Sequence, residues 1–185
     1  HWCGGTLRAA TAQLDYIASM GFDCVWMAPV VKQPSASFCY NDTGCIDGYH
    51  GYWGEDLYSI DPHFGTHADL KAFSAGVRER GMCLMMDTVV HHMRPVASRA
   101  DLAAMVPFNE TGDYWTEGMG VNETFDEYAH HPMQALTAGC NPGECDDQQR
   151  VERGWFFDLP ALRIGGSERV RAQLDRWIRY MVDEF

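Results

Sequence analysis

The sequence predicts a parallel α/β fold, the front part of a larger α/β barrel with a small subdomain inserted after its third strand. Three observations predict it. Amphipathic helical segments alternate with short strand segments. Those strands are apolar throughout, as strands covered on both faces are. A long polar stretch then breaks the rhythm before one more helix, and 185 residues fall short of the about 250 that a closed barrel of this type needs.

Each element has a local cause. Leu7, Ala10, Leu14, Ile17 and Met20 recur at helical spacing, and Gly21 stands where a C-cap belongs. "FDCVWMAPV" follows as a buried strand, ended by Pro29. Residues 31–54 read as a polar loop, and "DLYSID" as a second strand. Thr66 is set to cap the next helix with Asp69 as its capping-box partner, and Leu70, Phe73 and Val77 face inward until about Gly81. "MCLMMDTVV" is the third strand. Residues 94 to about 165 are too long for a simple connection and read as an inserted subdomain. Ser167 then caps a helix carrying Val170, Leu174, Trp177, Ile178 and Met181. The division is therefore 1–93 for the first part of the barrel, 94–165 for the insertion, and 166–185 for the helix after the third strand. That helix should feed a fourth strand.

A formal net charge of −12 speaks against nucleic acid, whose binding face needs clustered Lys and Arg. No apolar run reaches the ~18–20 residues that span a membrane. The balance fits a secreted, monomeric enzyme with a neutral substrate, and equally an acidic surface that only aids solubility. Of seven cysteines, Cys39/Cys45 and Cys140/Cys145 each flank a polar turn and suit local disulfides in an oxidising compartment. Cys24 and Cys83 lie in apolar runs and read as buried thiols; Cys3 is left over. Sequons at Asn41, Asn109 and Asn122 also favour a secreted glycoprotein.

Chemistry in a parallel barrel gathers at the C-terminal ends of strands. "DGYHGYWGED" (Asp47–Asp56) sets Tyr49, His50, Tyr52 and Trp53 around Gly51. Aromatic faces beside hydrogen-bonding groups suit sugars; the same cluster would also pack the loop onto the barrel. "DTVVHHM" (Asp87–Met93) ends the third strand with His91 and His92. Read alone, the pair allows metal ligation. Neighbouring side chains on a strand point to opposite faces, so one ring should face the barrel mouth and the other the following loop, in two different roles.

"CGGT", "LDYIASMGFDCVWMAPVV", "YHGYWGEDLYSIDPHFGTHADLKAFSAGVRERGMCLMMDTVVHHM" and "DLPAL" resemble the α-amylase family of glycoside hydrolases, most closely its fungal secreted members. The likeness is nearly gap-free from Cys3 to Met93, loose through the insertion, and recovers near Leu159-Pro160. It implies a (β/α)8 TIM barrel with a subdomain after the third strand, acting on α-1,4-glucosidic bonds of α-glucans with retention. It also implies site roles. His50 and Tyr52 line the subsite of the attacked sugar, and Trp53 contacts substrate. Asp87 holds the architecture, and His92 hydrogen-bonds sugar hydroxyls and stabilises the transition state. The nucleophile and the acid/base belong to the fourth and fifth strands, beyond Phe185, so no catalytic carboxylate is expected in this chain and it should not hydrolyse starch alone. An α-glucanotransferase of the same fold and a degenerate glucan-binding domain are the alternatives.

Two positions depart from the family pattern. The family has an asparagine before the strand-end histidine, whose oxygen binds calcium; here it is His91, a poor ligand for a hard cation. The family's Leu-Pro-Asp-Leu is here Leu159-Pro160-Ala161-Leu162. Glu152 or Asp158 could supply a carboxylate. Calcium is expected to be weakened or lost, with zinc at His91, His130 and His131 as a further option.

Overall fold

The computed structural model describes residues 1–40, 44–116, 125, 153–155 and 158–185. Thr6 caps α1 (Leu7–Thr11), its hydroxyl accepting from the Ala9 amide, and α2 (Leu14–Ser19) follows after a break at Ala12-Gln13. The expected single helix is thus two short ones. Leu7 and Leu14 are buried, whereas Met20, at the end of α2, is exposed. Gly21 has a φ of 80°, which a β-carbon would strain, and it turns the chain into β1 (Cys24–Met27).

The expected loop 31–54 contains three short strands: β2 (Val31–Lys32), β3 (Phe38–Tyr40) and β4 (Gly44–Ile46). β3 and β4 form an antiparallel hairpin closed by the Cys39–Cys45 disulfide. β5 (Asp56–Ile60) pairs antiparallel with β2. The Thr66–Asp69 capping box opens α3 (His67–Glu79), whose Leu70, Phe73 and Val77 are buried. β6 (Cys83–Met86) then lies parallel to β1, in register from Cys24↔Cys83 to Met27↔Met86.

This corrects the predicted strand order. β5 is a strand but not a member of the parallel sheet, so the described residues contain two parallel barrel strands, not three. Alternation cannot distinguish the two cases, because it reports which residues face a core and not which strand lies alongside.

Val25, Met27, Leu84 and Met86 pack toward the helices, while Trp26 and Met85, at 70% and 55% exposure, lie on the opposite face. The strands are therefore not buried on both sides in this chain. Cys24 and Cys83 share that open face and are joined in a disulfide, with Cα atoms 4.4 Å apart. They are not buried thiols. Register placed them side by side, which neither one's local sequence reveals. Cys3 is a free, exposed thiol, and Cys140 and Cys145 lie outside the described residues.

After β6 come 3-10 turns at Arg99–Ala104 and Thr111–Asp113. Val96, Leu102, Met105, Phe108 and Tyr114 join the same hydrophobic cluster as Leu14, Leu70 and Val77. Ser167 caps α4 (Glu168–Glu184), which buries Val170, Leu174, Trp177 and Met181 but leaves Ile178 44% exposed. The Trp177 indole donates to the Leu57 carbonyl at 2.7 Å, locking α4 to β5. Among the described residues no helix is long and apolar enough to cross a membrane.

Cross-links stabilise more the longer the loop they close, rising with the logarithm of its length. Cys24–Cys83 spans 59 residues and Cys39–Cys45 spans 6, so chain entropy assigns them about 4 and about 2 kcal/mol. In guanidinium unfolding, Cys24→Ser/Cys83→Ser should lose more stability than Cys39→Ser/Cys45→Ser. The reverse order would contradict the assignment.

Candidate functional site

The parallel register brings the ends of β1 and β6 to one side, and the Asp87 amide extends their ladder by donating to the Met27 carbonyl at 3.0 Å. Pro29 turns out of β1 and packs against Gly51. Gly51 has a φ of 87°, and a β-carbon there would lie 2.3 Å from the Pro29 carbonyl oxygen. Only glycine fits so close an approach. The aromatic loop is thereby pressed against the strand end, facing Asp87.

Tyr52 makes the connection. Its phenol donates to Asp87 Oδ2 at 3.1 Å, and its carbonyl lies 3.2 Å from His92 Nε2. The Asp87 hydrogen bond, followed by that carboxylate's charge, raises the pKa of the phenol. His50 Nδ1 accepts the Tyr52 amide at 3.0 Å, so the neutral ring carries its proton on Nε2. Burial, then the charged N-terminus, lowers the His50 pKa. His50, Tyr52, Asp87 and His92 are thus brought together. Trp53 is placed differently: it is 7% exposed and meets His50 edge-on at 4.8 Å, backing that ring and offering little open face.

His91 and His92 correct a second expectation. β6 ends at Met86, so strand alternation does not extend to them. Their rings meet, Nδ1 to Nδ1, at 3.3 Å. A carbonyl only accepts, so His92 Nε2 donates to Tyr52. The neutral His92 Nδ1 is then bare, and His91 Nδ1–H is the donor between the rings. The His92 pKa is lowered to about 4, first by desolvation and then by neighbouring His91, against the pull of the Tyr52 carbonyl. Burial also lowers that of His91.

The family's calcium can be tested against these donors. His91 Nδ1 is turned to His92. Asp158 is half-buried, and burial raises its pKa; its backbone carbonyl takes the Val96 amide at 3.1 Å. Ala161 is buried and bridges antiparallel to His92, with no carboxylate to offer. Among the described residues no group of three or more His, Cys, Asp or Glu is arranged to hold a metal. Glu152, His130 and His131 lie outside the described residues.

Gln33 was missed. It is 2% exposed and reaches the aromatic loop from beneath. A single polar residue in a polar stretch gives no periodic signal.

A βαβ unit whose strand ends carry an aromatic loop, an aspartate and a neutral histidine defines a piece of a parallel-barrel enzyme domain. The family model for the α-amylase catalytic domain matches residues 2–158. The chain belongs to the α-amylase family. It is 33% identical over 189 aligned positions to α-amylase 2 of Schwanniomyces occidentalis, covering 100% of this chain and 32% of that protein. The solved α-amylase of Malbranchea cinnamomea superposes with a TM-score of 0.75 at 33% identity, over 99% of this chain and 34% of that one. The acarbose complex of the Geobacillus thermoleovorans α-amylase gives 0.69 at 28%, over 98% and 32%. The chain thus spans about a third of the length of these relatives.

The His92 shift makes a pH prediction. An unfolded ring takes its proton near the ordinary 6.5, whereas the folded ring refuses it until about 4. The stability this contributes is complete above 6.5 and declines as pH falls through that window. NMR titration should show the His92 ring still neutral at pH 5; a His92 resonance titrating near 6.5 would refute the placement.

Proposed function

We propose that the chain supplies the front of the catalytic barrel of a retaining glycoside hydrolase that cleaves α-1,4-glucosidic bonds in starch- or glycogen-like α-glucans. Residues 1–93 and 166–185 belong to the barrel and 94–165 to the inserted subdomain. The observation that carries this reading is the convergence of Tyr52, Asp87 and His92 through two hydrogen bonds in a chain of this family.

In this reading Tyr52 and His50 line the subsite of the attacked glucosyl unit, with Trp53 behind His50. Asp87 fixes the Tyr52 phenol. His92, neutral and donating through Nε2, exchanges the Tyr52 carbonyl for a sugar hydroxyl and so holds the attacked ring by a hydrogen bond that strengthens in the transition state. The nucleophile and the acid/base come from barrel strands outside these 185 residues. An extracellular setting fits the Cys24–Cys83 and Cys39–Cys45 disulfides and the exposed Asn109 sequon.

The full-length protein should shorten maltooligosaccharides with retained anomeric configuration, and the 185-residue chain should not. Turnover by the short chain would overturn the assignment of the carboxylates. Lengthened products from the full-length protein would mark a transferase, and no reaction a binding domain. For the metal, we propose that His91 and Ala161 have weakened or abolished calcium binding. After dialysis the full-length protein should hold calcium well below one equivalent, and His91→Asn should raise that occupancy. One tightly held equivalent in the wild type would sink the idea.

A further inference from the structure

We infer that Gln33 is a positioning residue for the substrate site, acting through the backbone on both sides of Tyr52. The inference rests on the reading of Tyr52 and His92 as sugar-binding groups. The Gln33 side chain bonds to both peptide groups that flank Tyr52. Its Nε2 donates to the Gly51 carbonyl at 3.0 Å and to the Val31 carbonyl at 2.8 Å, while its Oε1 accepts the Trp53 amide at 2.8 Å. Those partners dictate the amide's orientation, since carbonyls need its N–H groups and an amide needs its oxygen. A primary amide thereby does for Gly51 and Trp53 what a neighbouring strand would do.

The hold is itself anchored. The Gln33 amide donates to Asp61 Oδ2 at 2.9 Å, and Asp61, 2% exposed, takes the His63 amide and ring on its other oxygen. Gly48 closes the far side: a β-carbon there would lie 2.9 Å from the Gln33 Cβ. With the peptides before and after Tyr52 held, its carbonyl is fixed and so is the direction in which its side chain leaves the backbone. The phenol is aimed at Asp87, and the carbonyl at His92 Nε2. Tyr52 is exposed and, among the described residues, its ring meets only the His50 ring in a stacked contact, so the backbone hold carries much of that aim. Gln33 therefore acts on the site through Tyr52.

Gln33→Met removes the hold at nearly constant volume, and Gln33→Glu keeps the acceptor for Trp53 but sets an oxygen against the Gly51 carbonyl. KM separates positioning from mere folding, because loss of folded enzyme lowers the maximal rate and leaves KM alone. In the full-length protein acting on maltoheptaose, Gln33→Met should raise KM at least fivefold, and Gln33→Glu should raise it as well. If Gln33→Met does not fold, Gly48→Ala, which crowds Gln33 while leaving every polar group present, should raise KM in the same direction. An unchanged KM in the folded variants, with maximal rate falling only as the folded fraction falls, overturns the inference while the proposed function stands. A wild-type protein that neither cleaves nor extends maltoheptaose overturns both.

Discussion

Parallel pairing of β1 with β6 sets where the polar segments of the site emerge. Four residue pairs, Cys24↔Cys83 through Met27↔Met86, run both chains toward the same edge, and α3 carries the chain back between them. Because the side-chain period of a strand is two, a slip of one residue would turn Trp26 and Met85 toward the helices and carry Asp87 off the end of the ladder. The Cys24–Cys83 disulfide sits on the first rung and allows one register only. An aspartate and a tyrosine 35 positions apart meet because of a ladder that the aspartate only extends, through its amide, and in which the tyrosine takes no part.

The loops beyond the strand ends are held by buried polar groups rather than by apolar packing. Glu55, 9% exposed, lies 3.0 Å from both Lys32 and Arg94. It ties β2, the start of β5 and the segment after His92 into one block. Burying a charge is costly unless its partners are already in place, so such a cluster specifies an arrangement more than it stabilises one. Gln33 and Asp61 do the same for the aromatic loop, and Gly51 lets that loop approach the Pro29 carbonyl. The result is a floor of paired polar groups under Tyr52, His50 and Asp87, which spares a binding site the cost of ordering the protein.

What was legible in the sequence was local. Thr66 with Asp69, and Ser167 ahead of an apolar stripe, marked helix starts because a cap is a contact between near neighbours. β1, β5 and β6 were legible as strands and the candidate site residues as strand-end and loop residues, whereas β2, β3 and β4 lay hidden in a polar stretch. Partnership was not legible. Asp56–Ile60 carries the pattern of any half-buried strand, and its antiparallel match with Val31–Lys32 depends on a turn the pattern does not encode. Cys24 and Cys83 sat in apolar runs, where burial is the ordinary expectation, and only a Cα separation could say otherwise. For His91 and His92, alternation was applied past Met86, where the strand that justifies it has ended.

His91 gains a physical role from that correction. Its imidazole sets Nδ1–H toward His92. The His92 ring is thereby held with its bare nitrogen toward His91 and its N–H toward the Tyr52 carbonyl, the state in which it can donate to a hydroxyl. An imidazole hydrogen bond fixes the ring itself, so the His91 side chain keeps its neighbour in one orientation.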